Sequence, residues 1–345
     1  MPSIPRLPAE WEKQDGTLIT WPHKYSDWVD SLDDIDQTFC LLAKTICQFQ
    51  KLVIVCFDQS HQKYISQLLT SQLIPLNNIT FLCIPTNDTW MRDYGPIFLS
   101  GENKTINEFV FNGWGNKYSS DLDNAVSQHL YKNKLFPDAD LHNHDFVLEG
   151  GSIDCDGRNT LLTTSACLLT KTRNPLFKKE NINHFIEKTL GIKKILWLDY
   201  GYLSGDDTDS HIDMLARFVN ASTIVYIKCT DKEDEHYNDN LKMEHQLREL
   251  KMDNGDPYNL VPLPFTDPIY SQEDGRRLPA SYANFLIINH AVLVPTYNDI
   301  HDKEALDILA TCFPDRKIIG IPFLSAIEQN GSLHCLTMQI PEGYL

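Results

Sequence analysis

No stretch of this chain reaches the roughly 18 to 20 consecutive apolar residues that a bilayer-spanning helix needs, so no membrane span is expected. The first residues, MPSIPRLPAEWEKQDG, lack the basic start and apolar middle of a secretory leader. Positive charge is scarce: 30 Lys and Arg stand against 47 Asp and Glu, a net charge of −17. Such a surface repels nucleic acid and anionic membranes and attracts small cations, although it serves solubility equally well. The nine cysteines are odd in number, scattered, and never spaced C-x-x-C. That excludes a disulfide framework and a structural zinc site and makes a reducing cytoplasm the expected setting. The signatures GxxxxGK[ST], GxGxxG, HExxH and GxSxG are all missing, and GWG at 113–115 is too short for a phosphate loop. With no low-complexity tract and no long linker either, residues 1–345 read as a single domain.

What is present is a core and a repeat. Of the 345 residues, 42% are hydrophobic, enough for a large folded unit. At 284–322 the pattern runs strand NFLII, turn NH, strand AVLVPTY, an amphipathic helix HDKEALDILATCF, and strand RKIIGIP. The same β-β-α-β order recurs at 216–264, at 152–198, and more loosely at 96–148, where DFVL would be the last strand. A fifth copy would pair the C-terminal CLTMQI with the N-terminal GTLITWP, then add a helix over 34–49 and KLVIVCF. Repeats that close by joining the two chain ends predict an α/β fold in the form of a five-bladed propeller of ββαβ units. An ordinary α/β sandwich is the alternative from pattern alone.

The out-of-place polar residues fall just before the first strand of successive repeats. They are Asp93 in NDTWMRDYGP, Glu149 in LEGGSI, His211 and Asp213 in DDTDSHIDMLARF, and Cys335 in NGSLHC. If the repeats surround an axis, these segments converge at one end of it. Each has a plainer reading. Asp93 suits a turn or a pair with Arg92, Glu149 a solvated loop, and Cys335 a core position, since free cysteine is usually buried and inert. His211 and Asp213, two apart, would face the same way on an extended segment. Together, one Cys, one His and three carboxylates supply a nucleophile, an acid/base group and anions suited to a planar cationic fork. That set points to attack on a guanidinium carbon.

These residues and their flanks resemble the agmatine deiminases of the guanidine-modifying pentein superfamily. The likeness runs from LPAEWEKQDGTLITWPH through NDTWMRDYGPIF, EGGSIDCDG, DDTDSHIDMLARF and RRLPASYANF to NGSLHCLTMQIP. It implies the five-bladed pentein fold and hydrolysis of agmatine to N-carbamoylputrescine and ammonia through a covalent amidino-cysteine, without metal or cofactor. It assigns the nucleophile to Cys335, the acid/base role to His211, that histidine's carboxylate partner to Glu149, and the guanidinium-binding carboxylates to Asp93 and Asp213. Trp90 matches an aromatic lining the substrate channel. Asp207 is the candidate for the amine end of the substrate. Departures include Ser210 where the family usually has glycine, and Gln329 to Leu333 in place of a glycine run. The expected partner is a small cationic guanidino compound, not nucleic acid or membrane, and a homo-oligomer is left open. Deimination of free or peptide-bound arginine is the alternative: Arg92, Arg173, Arg217, Arg276 and Arg277 are all available to a substrate carboxylate.

Overall fold

The computed structural model describes residues 5–345. Residues 1–4, which open the segment read as lacking a leader, lie outside the described residues. Among the described residues, sixteen strands form five separate sheets. The chain enters with β1 (Gln14–Thr20), β2 (Lys51–Cys56) and β3 (Ile79–Cys83). Four three-stranded sheets follow. They are β4 (Ile97–Leu99), β5 (Lys104–Val110) and β6 (Ala139–Val147); β7 (Ile153–Cys155), β8 (Thr160–Thr164) and β9 (Lys194–Leu198); β10 (Ala216–Asn220), β11 (Thr223–Lys228) and β12 (Asn259–Pro264); and β13 (Leu286–Ile288), β14 (Ala291–Thr296) and β15 (Lys317–Pro322). The last strand, β16 (Thr337–Pro341), returns to the start and pairs antiparallel with β1, with Thr17 opposite Gln339.

In every sheet the first two strands are antiparallel and the next is added in parallel. A parallel neighbour needs a crossover, and a helix supplies it each time. These helices span Leu32–Ile46, Val126–Lys132, Lys179–Leu190, Tyr237–Glu249 and Asp302–Cys312. The first buries Ile35, Phe39, Leu42, Ala43 and Ile46, an i, i+4, i+7 stripe against its sheet. The third buries Ile182, Ile186 and Leu190, then stops at Gly191 in the left-handed conformation (φ 68°). Central strands such as β2 and β14 are buried on both faces, which is why they read as continuous apolar runs rather than alternating ones.

The five-bladed α/β propeller expected from the repeats is therefore the fold, closed by the chain ends as the pattern required. Three details differ. The crossover helix expected at 34–49 runs Leu32–Ile46. Strand β6 starts at Ala139, six residues before DFVL, because its polar first half pairs with β5 at an exposed edge. The closing blade carries a helix, Gln59–Ser71, and a fourth strand, β3, that the repeat unit does not contain.

Candidate active site

The segments that lead into the first strand of each blade touch one another in cyclic order. Gly151 N–H donates to Asp93 Oδ1 at 3.0 Å. A Cβ on Gly151 would lie 2.6 Å from His211 Nδ1, 2.8 Å from Asp93 Oδ1 and 3.2 Å from Asp213 Oδ2, so only glycine allows three functional side chains to meet there. Asn284 Nδ2 donates to the Asp213 carbonyl at 3.4 Å and to Cys335 Sγ at 3.3 Å. The ring closes where Arg92 N–H donates to the Cys335 carbonyl at 3.1 Å. Asp93, Glu149, His211, Asp213 and Cys335 are thus gathered at one end of the propeller axis, all of them buried.

Local backbone explains their placement. His211 and Asp213 do not sit on an extended segment. Ile212–Met214 is a single 3₁₀ turn, entered through Asp209 and Ser210, both at positive φ (66° and 65°). That reversal swings the imidazole inward, with Nδ1 3.6 Å from Asp93 Oδ1, while Asp213 Oδ2 comes 3.8 Å from Cys335 Sγ.

The electrostatics follow from burial in a field of carboxylates. Burial first, then the charge of Asp213, push Asp93 well above the usual carboxylate range. Asp213 goes the other way: burial would raise it, but its bond and charge contact with His334 outweigh that and hold it below its ordinary value. Burial lowers His211 to about 3, so its imidazole is neutral. Burial, with Asp213 and Asp93 adding to it, raises the Cys335 thiol well above its usual value. Two ring nitrogens of His211 and Oδ1 of Asp213 are buried without a hydrogen-bond partner. Buried polar atoms are rarely left this way, and three around one cysteine mark a place reserved for something polar.

A narrow cavity of about 30 Å³ reaches Cys335 and Asp93 from solvent. Its walls are Trp90, Trp114 and Tyr118, and its mouth is acidic, with Asp27, Asp88, Asp206 and Asp207. Trp90 packs on Trp28 with ring centroids 5.8 Å apart and donates from Nε1 to Asp88 at 3.2 Å. Gly331 lies against its other side; a Cβ there would sit 2.1 Å from the indole. Asp207 lines the mouth, but Oδ2 already accepts from Tyr118 at 2.7 Å and from Asn330 at 3.2 Å.

One expected contact is replaced. Glu149 does not hydrogen-bond His211; Arg173 Nε donates to both its oxygens, at 2.8 and 3.0 Å. In a buried site a permanent guanidinium is a stronger partner for a carboxylate than a neutral imidazole. Glu149, Cys167 and His211 still offer ligand atoms within 4.8 Å of one another, a geometry that would admit a metal ion, but the Arg173 cation on Glu149 opposes one there.

The sequence profile of the Porphyromonas-type peptidyl-arginine deiminases matches residues 6–341. The chain belongs to this deiminase family. A curated relative from Vibrio parahaemolyticus, provisionally named an agmatine deiminase, is 34% identical over 97% of this chain and 96% of its own. The C. jejuni agmatine deiminase, solved as a cysteine-to-serine variant with substrate bound, is 38% identical with a TM-score of 0.91, covering 99% of this chain and 98% of that one. A Porphyromonas gingivalis protein provisionally named an arginine deiminase is 43% identical with a TM-score of 0.93, covering 99% of this chain and all of that one.

In this member of the deiminase family, several residues at the site were not singled out from the sequence. Asn284 is one: it holds the Cys335 loop, accepting the His334 amide at 2.8 Å on Oδ1. The repeat would have revealed it, because it occupies the fifth position before a first strand. Trp114, inside the dismissed GWG, donates to Asp93 Oδ2 at 2.9 Å. Positive φ from Gly113 to Asn116 turns that indole inward, and two glycines and an asparagine in four residues were the available signal. Arg173, named only among the arginines open to a substrate carboxylate, carried no signal of its bond to Glu149, and His334 and Glu10 carried none.

Proposed function

We propose that the protein hydrolyses agmatine to N-carbamoylputrescine and ammonia, with Cys335 as nucleophile and residues 1–345 acting as one catalytic unit. The product, a carbamoylated putrescine, feeds polyamine synthesis. The observation that carries the reading is the pair Asp93 and Asp213 gathered with Cys335, with Asp213 Oδ2 3.8 Å from the thiol and Oδ1 buried and unpartnered. A guanidinium supplies the N–H donor that Asp213 Oδ1 lacks and adds further planar N–H donors to the Asp93 carboxylate.

The chemistry then runs in two halves. Guanidinium bound between Asp93 and Asp213 offsets the two negative charges that, after burial, hold the thiol up. The Cys335 proton passes to neutral His211, and the thiolate attacks the guanidinium carbon. His211 returns the proton to a nitrogen of the tetrahedral adduct; the C–N bond breaks and ammonia leaves. An amidino-cysteine remains. His211 next takes a proton from water and the hydroxide adds to the same carbon. Collapse to the C=O bond breaks the C–S bond and releases the ureido product. The hydroxyl proton leaves to solvent and ends on the freed ammonia as ammonium, and His211 returns its proton to the Cys335 thiolate. Acid/base assistance of this kind is typically worth 10²- to 10⁴-fold. Arg173 supports the histidine indirectly: it ties Glu149 to the Thr208 carbonyl and Asp209, the loop that presents His211. No step draws on a metal or cofactor. A reducing, cytoplasmic setting fits nine cysteines that are all free, and no helix among the described residues is long and apolar enough to cross a membrane.

The walls favour agmatine over arginine. Among the described residues lining the cavity there is no lysine or arginine to receive an α-carboxylate. Of the five arginines open to that role, four are committed elsewhere, Arg92 to Gln339, Arg173 to Glu149, Arg217 to Glu10 and Arg277 to Asp234, while Arg276 reaches Asn330 at the mouth and is paired with Asp274. Trp90 suits the four-carbon spacer, and the acidic mouth, Asp207 included, suits the terminal ammonium. Ammonia release from agmatine, free arginine and a peptidyl-arginine tests this directly. kcat/KM for agmatine should exceed that for arginine by at least about 10³, roughly 4 kcal/mol of transition-state discrimination. Comparable turnover of the two would sink the agmatine assignment and leave the cysteine chemistry standing.

A further inference from the structure

His334, the residue before Cys335, has no part in the steps above, yet it is 2% exposed and engaged at both ring nitrogens. Nδ1 lies 2.7 Å from Asp213 Oδ2, and Nε2 lies 2.7 Å from Glu10 Oε2. A neutral imidazole has one N–H and one lone pair. It would serve one carboxylate and turn a lone pair on the other. Only the imidazolium donates to both.

The charges behind it require the same state. Glu10 Oε2 accepts from Arg217 Nη2 at 2.9 Å and has Arg92 Nη2 3.8 Å away, while Oε1 accepts the Ile287 amide at 2.6 Å. Arg217 Nε reaches Asp154 Oδ1 at 3.2 Å. Arg92 Nε donates to the His334 carbonyl at 3.3 Å. The buried cluster thus holds Glu10, Asp154 and Asp213 against Arg92 and Arg217. A neutral His334 would leave it one buried negative charge in excess, which is strongly unfavourable. A charged one balances it. On the cavity side, the ionisable neighbours of Asp213 are Asp93, His211 and Cys335, none of them a cation in the free protein.

We propose that His334 is a charged positioning residue for the guanidinium site: an imidazolium clamped between Glu10 and Asp213 that occupies Oδ2 of Asp213 and leaves Oδ1 for the substrate. The role rests on the functional reading above and deepens it. It gives the two substrate carboxylates different characters. Asp213 meets the cation as an anion held down against burial, while the Asp93 anion, disfavoured by burial and by Asp213, is the one the arriving cation stabilises.

Two measurements test it. In ¹⁵N-histidine NMR of the free wild-type protein at pH 7.5, the His334 ring, identified by its shift in Glu10→Gln, should show two protonated nitrogens. A single-tautomer neutral ring overturns the proposal, and this arm does not depend on any variant at His334 folding. Agmatine affinity is then measured by calorimetry from pH 6 to 9 in a Cys335→Ser background. His334→Gln should weaken binding at least tenfold. His334→Asn, which keeps an N–H near the Nδ1 position, should recover part of the loss. Glu10→Gln, separated from Asp213 by the His334 ring, should move the high-pH limb of binding downward, because the imidazolium then gives up its proton at lower pH. Affinities and pH limbs unchanged across these variants sink the positioning role alone. Absence of agmatine binding with His334 intact sinks the functional reading, and the positioning role with it.

Discussion

Asp213 stands between two buried regions built differently. Behind it, away from the cavity, Glu10, Asp154, Arg217 and His334 are paired at 2.5 to 3.2 Å, and only Arg92 Nη2 is left without a bond. In front, both nitrogens of His211 and Oδ1 of Asp213 are unpartnered, and Cys335 has only weak sulfur contacts. Both regions are equally buried, so burial does not separate a scaffold from a reactive centre here. Satisfaction does. The back has spent its hydrogen-bonding capacity on itself; the front has kept part of its capacity for a ligand, and burial there is what first moves Asp93, His211 and Cys335 from their ordinary values.

The largest break in that contrast comes from the sulfur. Cys335→Ser keeps the front almost isosteric but replaces a nucleophilic thiolate with an alcohol. Turnover of agmatine should fall by at least about 10³-fold, roughly 4 kcal/mol of transition-state free energy, while binding persists. Mass spectrometry of wild-type enzyme during turnover should find an amidino adduct on Cys335 and on none of the other eight cysteines. Retention of a few per cent of wild-type turnover by the serine variant would remove Cys335 from the nucleophile role.

Next comes Asp93→Asn. The side chain keeps its shape beside Trp114 and Gly151 but offers the guanidinium no negative charge. The lost charge-assisted contact is worth about 1.5 to 3 kcal/mol, or roughly 10- to 100-fold in agmatine affinity. Calorimetry in the Cys335→Ser background measures it without turnover. An unchanged Kd would mean that Asp93 does not hold the cation.

The front also predicts a pH signature of stability. His211 is neutral in the fold down to about pH 3, whereas in the unfolded chain it takes a proton near 6.5. Between those values the unfolded state binds more protons, so the His211 contribution is complete above about pH 6.5 and is lost as pH falls. Asp93, raised in the fold, has the opposite slope and masks part of this. Removing the histidine unmasks it. Relative to wild type, His211→Gln should gain stability as pH drops from 7.5 to 5.5 in urea titrations, approaching about 1.4 kcal/mol per pH unit. Parallel stability curves for the two proteins would show that His211 titrates normally and is not confined as described.

How far these regions were legible in the sequence follows from the same contrast. The front was readable because it is made of chemically odd residues at a repeated structural position: Asp93, Glu149, His211, Asp213 and Cys335 each precede the first strand of a blade. Asn284 holds the fifth such place and escaped notice only because an asparagine before a strand looks ordinary. The back was not readable. Glu10 and His334 are 324 residues apart and meet only because β1 and β16 close the ring. Arg173 lies in the loop after β8, outside the repeated position altogether, and its claim on Glu149 is a matter of which cation folding brings nearest. The closing helix and strand at 59–83 were missed for a related reason: they belong to no repeat, so periodicity carried no information about them.

The smallest expected effect lies at Ser210, the residue that delivers His211 to the front. Its φ of 65° is left-handed, its amide is held by Asp206 Oδ2 at 2.8 Å and its carbonyl by Thr164 at 2.7 Å. The family's usual glycine would adopt this conformation without the roughly 1 kcal/mol strain of a Cβ, but glycine also gives the unfolded chain about 0.5 to 1 kcal/mol more entropy to lose. The two nearly cancel. Ser210→Gly should therefore leave stability within about 0.5 kcal/mol and kcat/KM close to wild type. Ser210→Val is the sharper probe, because a β-branched side chain fits this backbone poorly. It should lose more than about 1 kcal/mol of stability and, by turning the His211 backbone, lower kcat more than it raises KM. Wild-type kcat in the valine variant would show that the imidazole is held by its burial alone, and that the left-handed pair at Asp209 and Ser210 is incidental to the geometry of the front.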